Sequence, residues 1–279
     1  MDPFNPAHMK CKEADFQALI AKYLDPAVRE EVTEEELKRI ILAFNTLNLP
    51  LEKLKGYGYE VVINTEFMND CLRCLRNVVA GIKRNQTLIG EHLLKDNGIP
   101  KLLSNIHDTQ RNFGFSKKLE DDIVITDRLC FQVIANLITN HPENQKLLVQ
   151  QAYIMTVMHS EIPFRNPIVS DVKLKTIILH VLQTLVRDIQ ILDPSNEQMT
   201  KELSIFIPIL AKEYEANNDP GSQTCLETLL YSDIFLQHLS SEQRAAITEI
   251  IPFPPHLGVL KLLVSDFTFL TDTHLLTTG

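Results

Sequence analysis

Apolar residues recur every three or four positions along most of the chain, which is the spacing of one face of an α-helix. Asp25-Pro26 ends the first predicted helix, because the residue before a proline avoids the helical region. Strand patterns are nearly absent, and only residues 59–63 offer a short candidate, as helix or as extended linker. The first two apolar stripes are Phe16, Leu19, Ile20, Leu24 and Leu37, Ile40, Ile41, Phe44.

Helix-start signals divide this pattern into segments. Thr33 and Glu36 have the spacing of a capping box, and Ser240 with Gln243 repeats it. Asn140 and Glu143, with Pro142 between them, indicate a further start. Residues 110–122 have no clear period, so we predict a loop there. The predicted helices after residue 64 cover about 65–83, 85–95, a segment from Pro100, 123–140, 142–159, 170–190, 197–216, 222–238, 241–250 and 256–270.

One segment of the chain occurs twice. Residues 71–89 (CLRCLRNVVAGIKRNQTLI) and 130–148 (CFQVIANLITNHPENQKLL) align without a gap. Chance would leave about one identity in such a stretch. Each copy predicts a long helix, a tight turn and a second helix, for which Asn85 and Asn144 are the expected N-cap residues. The identical pairs are Cys71/Cys130, Asn77/Asn136, Asn85/Asn144, Gln86/Gln145 and Leu88/Leu147.

Two fainter copies follow. Residues 181–186 and 225–230 align with 74–79 and place Thr184 and Thr228 at the position of Asn77. From residue 136 to 184 is 48 positions and from 184 to 228 is 44, close to the roughly 40–47 of armadillo and HEAT repeats. Stacked helix pairs bury faces that one pair cannot bury alone. The sequence therefore predicts an all-α, armadillo/HEAT-like α-solenoid.

The predicted solenoid is one continuous domain over residues 10–279, with the loop near 110–122 inserted between repeats. Residues 1–9 (MDPFNPAHM) lack periodicity and look like a vector-derived tail. Gly is scarce, at 9 residues, about half its usual share, which favours long helices over tight turns.

Charge and cysteine content narrow the function classes. A formal net charge of −9 repels phosphate backbones, so we expect no nucleic-acid partner. No apolar run reaches the roughly 20 residues of a membrane span, so we expect no membrane insertion. The five cysteines are odd in number and loosely spaced, which indicates a reducing, intracellular compartment, and we expect a cytoplasmic location. Cys71 and Cys74 are expected to be buried small apolar residues rather than a metal or redox site.

Sequence motifs of enzymes are missing. The chain has no Gly-rich nucleotide-binding motif, no H-E-x-x-H and no G-x-S-x-G. Its nine histidines show no pair at metal-binding helical spacing. We therefore expect a non-catalytic protein without a cofactor or a metal ion.

The string LRNVVA, followed by NQTLI and NGIPKLL, resembles the armadillo pattern, in which a long third helix carrying L-x-N-L leads into the next repeat. The fuller string CLRCLRN with the NQ that follows is similar to the ataxin-10 family. The similarity is most specific over residues 67–149 and diffuse to about 270. A further armadillo-like segment lies C-terminal to this region in that family, so the chain looks like an N-terminal portion.

The ataxin-10 resemblance implies an intracellular scaffold linked to neuronal survival, neurite outgrowth, cytokinesis and the ciliary base. It implies perinuclear, midbody or centrosome and basal-body locations. It also implies O-GlcNAc transferase and a heterotrimeric G-protein β subunit as partners.

By the armadillo pattern, Asn77 and Asn136 would face a concave groove and hydrogen-bond an extended peptide, because a carboxamide both donates and accepts. The alternative is that both asparagines have structural roles within or between repeats. Arg73 could likewise hold an acidic partner or pair with Asp70 on its own helix. The remaining candidates on this face are Gln132, His180, Thr184 and Thr228.

Two functions stay open from the sequence. One is an interaction scaffold of armadillo type, and the other is an armadillo-type adaptor that grips a linear peptide in its concave groove. The sequence does not name the partner, the binding surface or the oligomeric state.

Overall fold

The computed structural model describes residues 15–47, 65–95, 98–113, 117–162, 172–192, 197–218, 220–230, 235 and 237–250. Every regular element in these ranges is helical, which confirms the all-α prediction. The chain divides into two compact units, Met1–Met155 and Thr156–Gly279. The single-domain prediction stays a prediction. The predicted tail and the segments at 59–63 and 256–270 lie outside the described residues.

The first unit contains α1 (15–22), a 3-10 helix (Pro26–Glu31), α2 (Glu34–Leu47), α3 (Thr65–Val79), α4 (Lys83–Leu93), α5 (Ile99–Phe113), α6 (Lys117–Ile138), α7 (Pro142–Val149) and the start of α8 (Ala152–Glu161). The capping box before α2 is confirmed. The Thr33 N–H donates to Glu36 Oε2 at 2.9 Å, and the Glu36 N–H donates to Thr33 Oγ1 at 3.2 Å. The first four backbone N–H groups of a helix have no acceptor within the helix, and two of them at the start of α2 thus have side-chain acceptors.

The core of the first unit forms where α3 packs along α6. Helix α4 contacts α6 and α7, and α2 contacts α3 and α4. Each fully buried Leu or Ile there contributes roughly 1.5–3 kcal/mol. Both copies of the repeated segment supply this core, through the fully buried residues Leu75, Val78, Val79, Ile89 and Ile134, Leu137, Ile138, Leu148.

The two copies also turn in the same way. Gly81 (φ 73°) and Asn140 (φ 55°) are equivalent in the alignment, and both have left-handed backbone just after a long helix. The next residues, Ile82 and His141, are the N-cap residues of α4 and α7. The left-handed region favours Gly and then Asn, which are the two residues found.

The second unit contains the rest of α8, then α9 (Val172–Leu192), α10 (Glu197–Ser204), α11 (Phe206–Asn217), α12 (Pro220–Leu230) and α13 (Ser241–Ile250). Helix α12 packs against α9 and α11, and α11 contacts α13. Lys175 of α9 forms an ion pair with Glu213 of α11, and each is only 4% exposed. Asn217 Nδ2 also donates to Glu213 Oε1 at 2.9 Å. The Ser240–Gln243 capping box is confirmed by reciprocal bonds of 2.9 and 3.2 Å.

Several local predictions were wrong. The predicted loop at 110–122 is helical at 110–113 and at 117–122; residues 117–122 carry good helix formers, Lys, Leu and Glu. The helices predicted at 142–159 and 197–216 are each divided, at 150–151 and at Ile205. Asn140 does not begin α7, because its left-handed backbone leaves the N-cap position to His141.

Candidate functional site

The side chain of Asn77 points into the first unit and is 6% exposed. Its Nδ2 donates to Tyr23 O at 3.2 Å and to Leu24 O at 2.8 Å, just after the end of α1. Its Oδ1 accepts from Arg76 Nε and Nη2 at 3.3 and 3.2 Å. Carbonyls at a helix end have no partner within the helix. Asn77 therefore fastens the end of α1 to α3.

Asn136 makes the corresponding contact one copy later. Its Nδ2 donates to Arg76 O at 2.9 Å, near the end of α3. Arg76 Nη1 in turn donates to Gln132 Oε1 at 2.9 Å. The structure thus brings Asn77, Asn136 and Gln132 into one network around Arg76. Asn136 and Gln132 are half-buried, so part of each stays accessible.

Arg73 lies one turn before Asn77 and is half-exposed. Its Nη1 forms an ion pair with Asp70 on the same helix. An exposed pair of this kind contributes on the order of 0.5 kcal/mol or less. The alternative in which Arg73 pairs with Asp70 is therefore the one that the structure contains.

The other candidates lie in the second unit. Thr184 is buried, and its Oγ1 donates to His180 O at 2.9 Å, one turn back in α9. Thr228 Oγ1 donates to Thr224 O at 2.8 Å in α12. The His180 side chain is exposed. Thr184 and Thr228 lie on two helices in contact, but each hydroxyl serves its own helix.

Asn85 and Asn144 are not the N-cap residues that the sequence predicted. Each is the third residue of its helix, and each is buried. Asn85 Nδ2 donates to Val78 O at 2.7 Å, and Asn144 Nδ2 donates to Leu137 O at 2.8 Å. Both acceptors lie seven residues earlier, at equivalent positions of the repeat. These amides satisfy carbonyls at the end of the preceding helix rather than amides at the start of their own.

The equivalent glutamines of the two copies, Gln86 and Gln145, also donate hydrogen bonds to backbone carbonyls. Gln86 Nε2 donates to Asn136 O at 2.6 Å and to Thr139 O at 3.2 Å, across to α6. Gln145 Nε2 donates to Ile138 O at 2.9 Å within its own copy. The polar identities between the two copies are thus mostly donors to carbonyls near helix ends. Only their repetition in the sequence signalled this role.

A cluster that the sequence did not predict joins α5, α6 and α8. His107 Nε2 lies 3.3 Å from Asp127 Oδ2, and His107 Nδ1 lies 3.1 Å from the Tyr153 hydroxyl. Nε2 donates to Asp127 in the tautomer that carries its proton on this nitrogen, because a carboxylate oxygen accepts. Asp127 is 9% exposed, and its Oδ1 has no hydrogen-bond partner among the described residues. The residues lie up to 46 positions apart in sequence, so no local spacing reveals the cluster.

The described cysteines are all free and buried, as expected for Cys71 and Cys74. Burial raises the pKa of the Cys74 thiol to about 12. Burial also raises the pKa values of the Cys71 and Cys130 thiols. These thiols remain protonated near neutral pH and are poor nucleophiles.

The described residues contain no group of three His, Cys, Asp or Glu side chains able to hold a metal ion. Within the same ranges, no helix combines the length and the apolarity needed to cross a membrane.

No protein-family model, curated protein or solved structure matches the chain. The described residues form an all-helical fold in which repeated polar residues bind carbonyls at helix ends.

Proposed function

We propose that this protein is a non-catalytic interaction scaffold, built as an armadillo-like α-solenoid and related to the ataxin-10 family. The observation that carries the proposal is the equivalence of α3–α4 and α6–α7. Their turns share left-handed backbone at Gly81 and Asn140. Their second helices share the amide contact from Asn85 or Asn144 to a carbonyl seven residues earlier.

Shared internal contacts favour a stack of similar units because each unit completes its neighbour. Asn136 of the second copy satisfies the carbonyl of Arg76 in the first, and Gln86 of the first satisfies two carbonyls of the second. Proteins of this architecture offer extended surface to partners.

The groove asparagines bear on the alternative, a peptide-gripping adaptor. Both donor hydrogens of Asn77 have acceptors inside the chain, and Asn136 donates to Arg76 O. A peptide would have to displace these bonds, each worth about 1 kcal/mol. This favours a scaffold that binds partners through other surfaces.

By resemblance, the partners to test first are O-GlcNAc transferase and a heterotrimeric G-protein β subunit. The proposed location is cytoplasmic, at perinuclear, midbody or centrosome and basal-body sites. The proposed cellular roles are neuronal survival, neurite outgrowth, cytokinesis and function at the ciliary base.

Affinity capture tests the scaffold proposal. The tagged chain is incubated with cytosol from neuronal cells, and the bound proteins are quantified by mass spectrometry. The matched control is Leu72→Asp, which places a charge at a fully buried position and is expected to unfold the chain. We expect proteins captured by the folded chain and not by this control. Identical captures from both would overturn the proposal, because binding would then follow exposed apolar surface rather than fold.

A second pair of variants tests the peptide-gripping alternative. Gln132→Glu preserves an acceptor for Arg76, and His180→Glu changes an exposed side chain. Both variants should melt within about 2 °C of the wild type, because neither substitution disturbs a buried group. An unchanged set of captured proteins in both variants would exclude peptide binding at these two positions, whereas loss of one class of partner would support it. Purified O-GlcNAc transferase and Gβ, tested by biolayer interferometry, decide the named partners separately.

A further inference from the structure

A groove with a volume of about 320 Å³ lies between α1 and α3 in the first unit. One wall consists of residues of α1 and of Leu24 just after it, and the other wall consists of residues in the first two turns of α3. The seven lining residues are Gln17, Ile20, Ala21, Leu24, Glu66, Phe67 and Asp70.

The floor of the groove is apolar and the rim is polar. Ile20 and Phe67 are 1% and 7% exposed, so little more than their edges reach the opening. Ala21 is exposed and small, which leaves space that a larger residue would fill. The volume is at the lower limit of ordinary ligand pockets. A groove of this size accepts one bulky apolar side chain from a partner.

The charge of the rim has one sign. Glu66 and Asp70 stand one turn apart on α3, and none of the lining residues is basic. Asp70 pairs with Arg73, whereas Glu66 has no ion-pair partner among the described residues. Glu66 is also exposed, so a cation can approach it from solvent. The complementary ligand therefore carries positive charge beside its apolar anchor.

The repeat holds this groove in shape. Asn77 donates to Tyr23 O and Leu24 O, and so attaches the end of the α1 wall to the α3 wall. Lys22, beside the groove, is engaged elsewhere, with Glu36 Oε1 at 2.9 Å. The opening is thus preformed, which lowers the entropic cost of binding.

We propose that the α1–α3 groove is a docking site for a linear, basic segment of a partner protein, with one large apolar residue flanked by Lys or Arg. The apolar residue enters over Ile20 and Phe67, beside Ala21, while a flanking basic residue meets Glu66, because Asp70 is already paired with Arg73. The inference rests on the proposed scaffold function and names the chemistry of one of its partners.

Peptide selection tests the groove. A phage-displayed library of random 12-residue peptides is selected on the folded chain, and enriched peptides are synthesised with a fluorescein label for anisotropy titration. Ala21→Trp fills the groove, and Glu66→Lys reverses the rim charge. Glu91→Lys, an exposed position on α4, is the matched charge control. Circular dichroism checks that each variant keeps the wild-type melting temperature.

We expect the enriched peptides to combine one Phe, Leu or Trp with at least two Lys or Arg. Their Kd should rise at least tenfold in Ala21→Trp and in Glu66→Lys, and less than twofold in Glu91→Lys. The docking-site proposal is wrong if no peptide is enriched or if the enriched peptides are acidic. It is also wrong if Glu66→Lys and Glu91→Lys change the Kd equally. If Ala21→Trp fails to fold, Glu66→Lys against Glu91→Lys alone decides.

Lysate capture separates the two proposals. If the wild-type chain and Glu66→Lys capture the same partners equally, the groove proposal is wrong and the scaffold proposal stands. If the wild-type chain captures no specific partner, both proposals are wrong.

Discussion

The carboxamide of Asn144, on α7, lies directly against Gly90 of α4. A Cβ atom at residue 90 would stand 2.3 Å from Asn144 Oδ1, far inside contact distance. Asn144 Nδ2 meanwhile donates to Gln86 O at 2.9 Å and to Leu137 O at 2.8 Å. The absent side chain of Gly90 is what lets one carboxamide join α4, α6 and α7.

We expect Gly90→Ala to lower the free energy of unfolding by about 1–3 kcal/mol, the usual cost of overpacking. The loss should appear although Ala is favoured over Gly in a helix by about 1 kcal/mol. Urea denaturation followed by circular dichroism measures it. In an Asn144→Ala background the obstacle is gone, so Gly90→Ala should be neutral or stabilising there. An equal loss in both backgrounds would contradict the steric explanation.

Asn77→Asp should destabilise the chain by about 2–3 kcal/mol. The substitution keeps the shape of the side chain but removes the donors to Tyr23 O and Leu24 O and leaves buried carbonyls unpaired. The matched control is Asn45→Asp at an exposed position of α2, which should change stability by less than about 0.5 kcal/mol. Similar losses in the two variants, measured by urea denaturation, would refute the fastening role of Asn77.

Glu36 should make stability depend on pH in the acid range. The Thr33 N–H, helped by Lys22 and the Tyr23 hydroxyl, lowers the pKa of Glu36 from 4.5 to about 2, against the opposing effect of burial. A pKa that is lower in the folded state stabilises the fold fully above about pH 4.5, and this stabilisation is lost as the pH falls towards 2.

Glu36→Gln is therefore expected to cost about 1 kcal/mol at pH 7, and the difference from the wild type should shrink between pH 5 and pH 2. Denaturation curves at each pH measure it. Glu35→Gln, at an exposed neighbouring position, is the control and should show no such trend. A constant difference for Glu36→Gln at all pH values would count against this linkage.

The buried thiols should react only when the chain opens. Cys71, Cys74 and Cys130 are fully buried, and burial raises their thiol pKa values. We expect iodoacetamide at pH 8 to leave peptides containing these residues unmodified in the folded chain and fully modified in 6 M urea. Mass spectrometry of the digested protein reads out each site. Fast modification of Cys74 under native conditions would disprove its burial.

His107→Ala should lower stability by about 2–4 kcal/mol, because it leaves the Asp127 carboxylate buried without its described hydrogen-bond donor. Adding Asp127→Ala should recover part of the loss, since the uncompensated charge is then gone. Tyr153→Phe removes one hydrogen bond and should cost about 1 kcal/mol. Thermal and urea unfolding compare these variants with Asp127→Ala alone. If Asp127→Ala lowers the free energy of unfolding as much in the His107→Ala background as in the wild type, the two side chains are not coupled.

Local signals in the sequence were sufficient for much of the helical framework. The capping boxes at Thr33 and Ser240 predicted the starts of α2 and α13, because both partners of each box lie within one turn. The stripe Leu37, Ile40, Ile41 and Phe44 is buried as predicted, since helical spacing alone decides which residues share a face. The match between residues 71–89 and 130–148 indicated which positions would have equivalent surroundings.

The tertiary structure decided what the shared polar residues do. Asn77 bonds carbonyls 53 and 54 positions away, and Gln86 reaches 50 and 53 positions along the chain, distances over which residue spacing carries no information. The same limit hid the cluster of His107, Asp127 and Tyr153 and the need for Gly at position 90. Sequence by itself determined most of the helices and their apolar faces, because these depend on neighbours within a turn. Only packing decided which helix end each buried amide satisfies, because a side-chain donor pairs with whichever unpaired carbonyl the fold brings within reach.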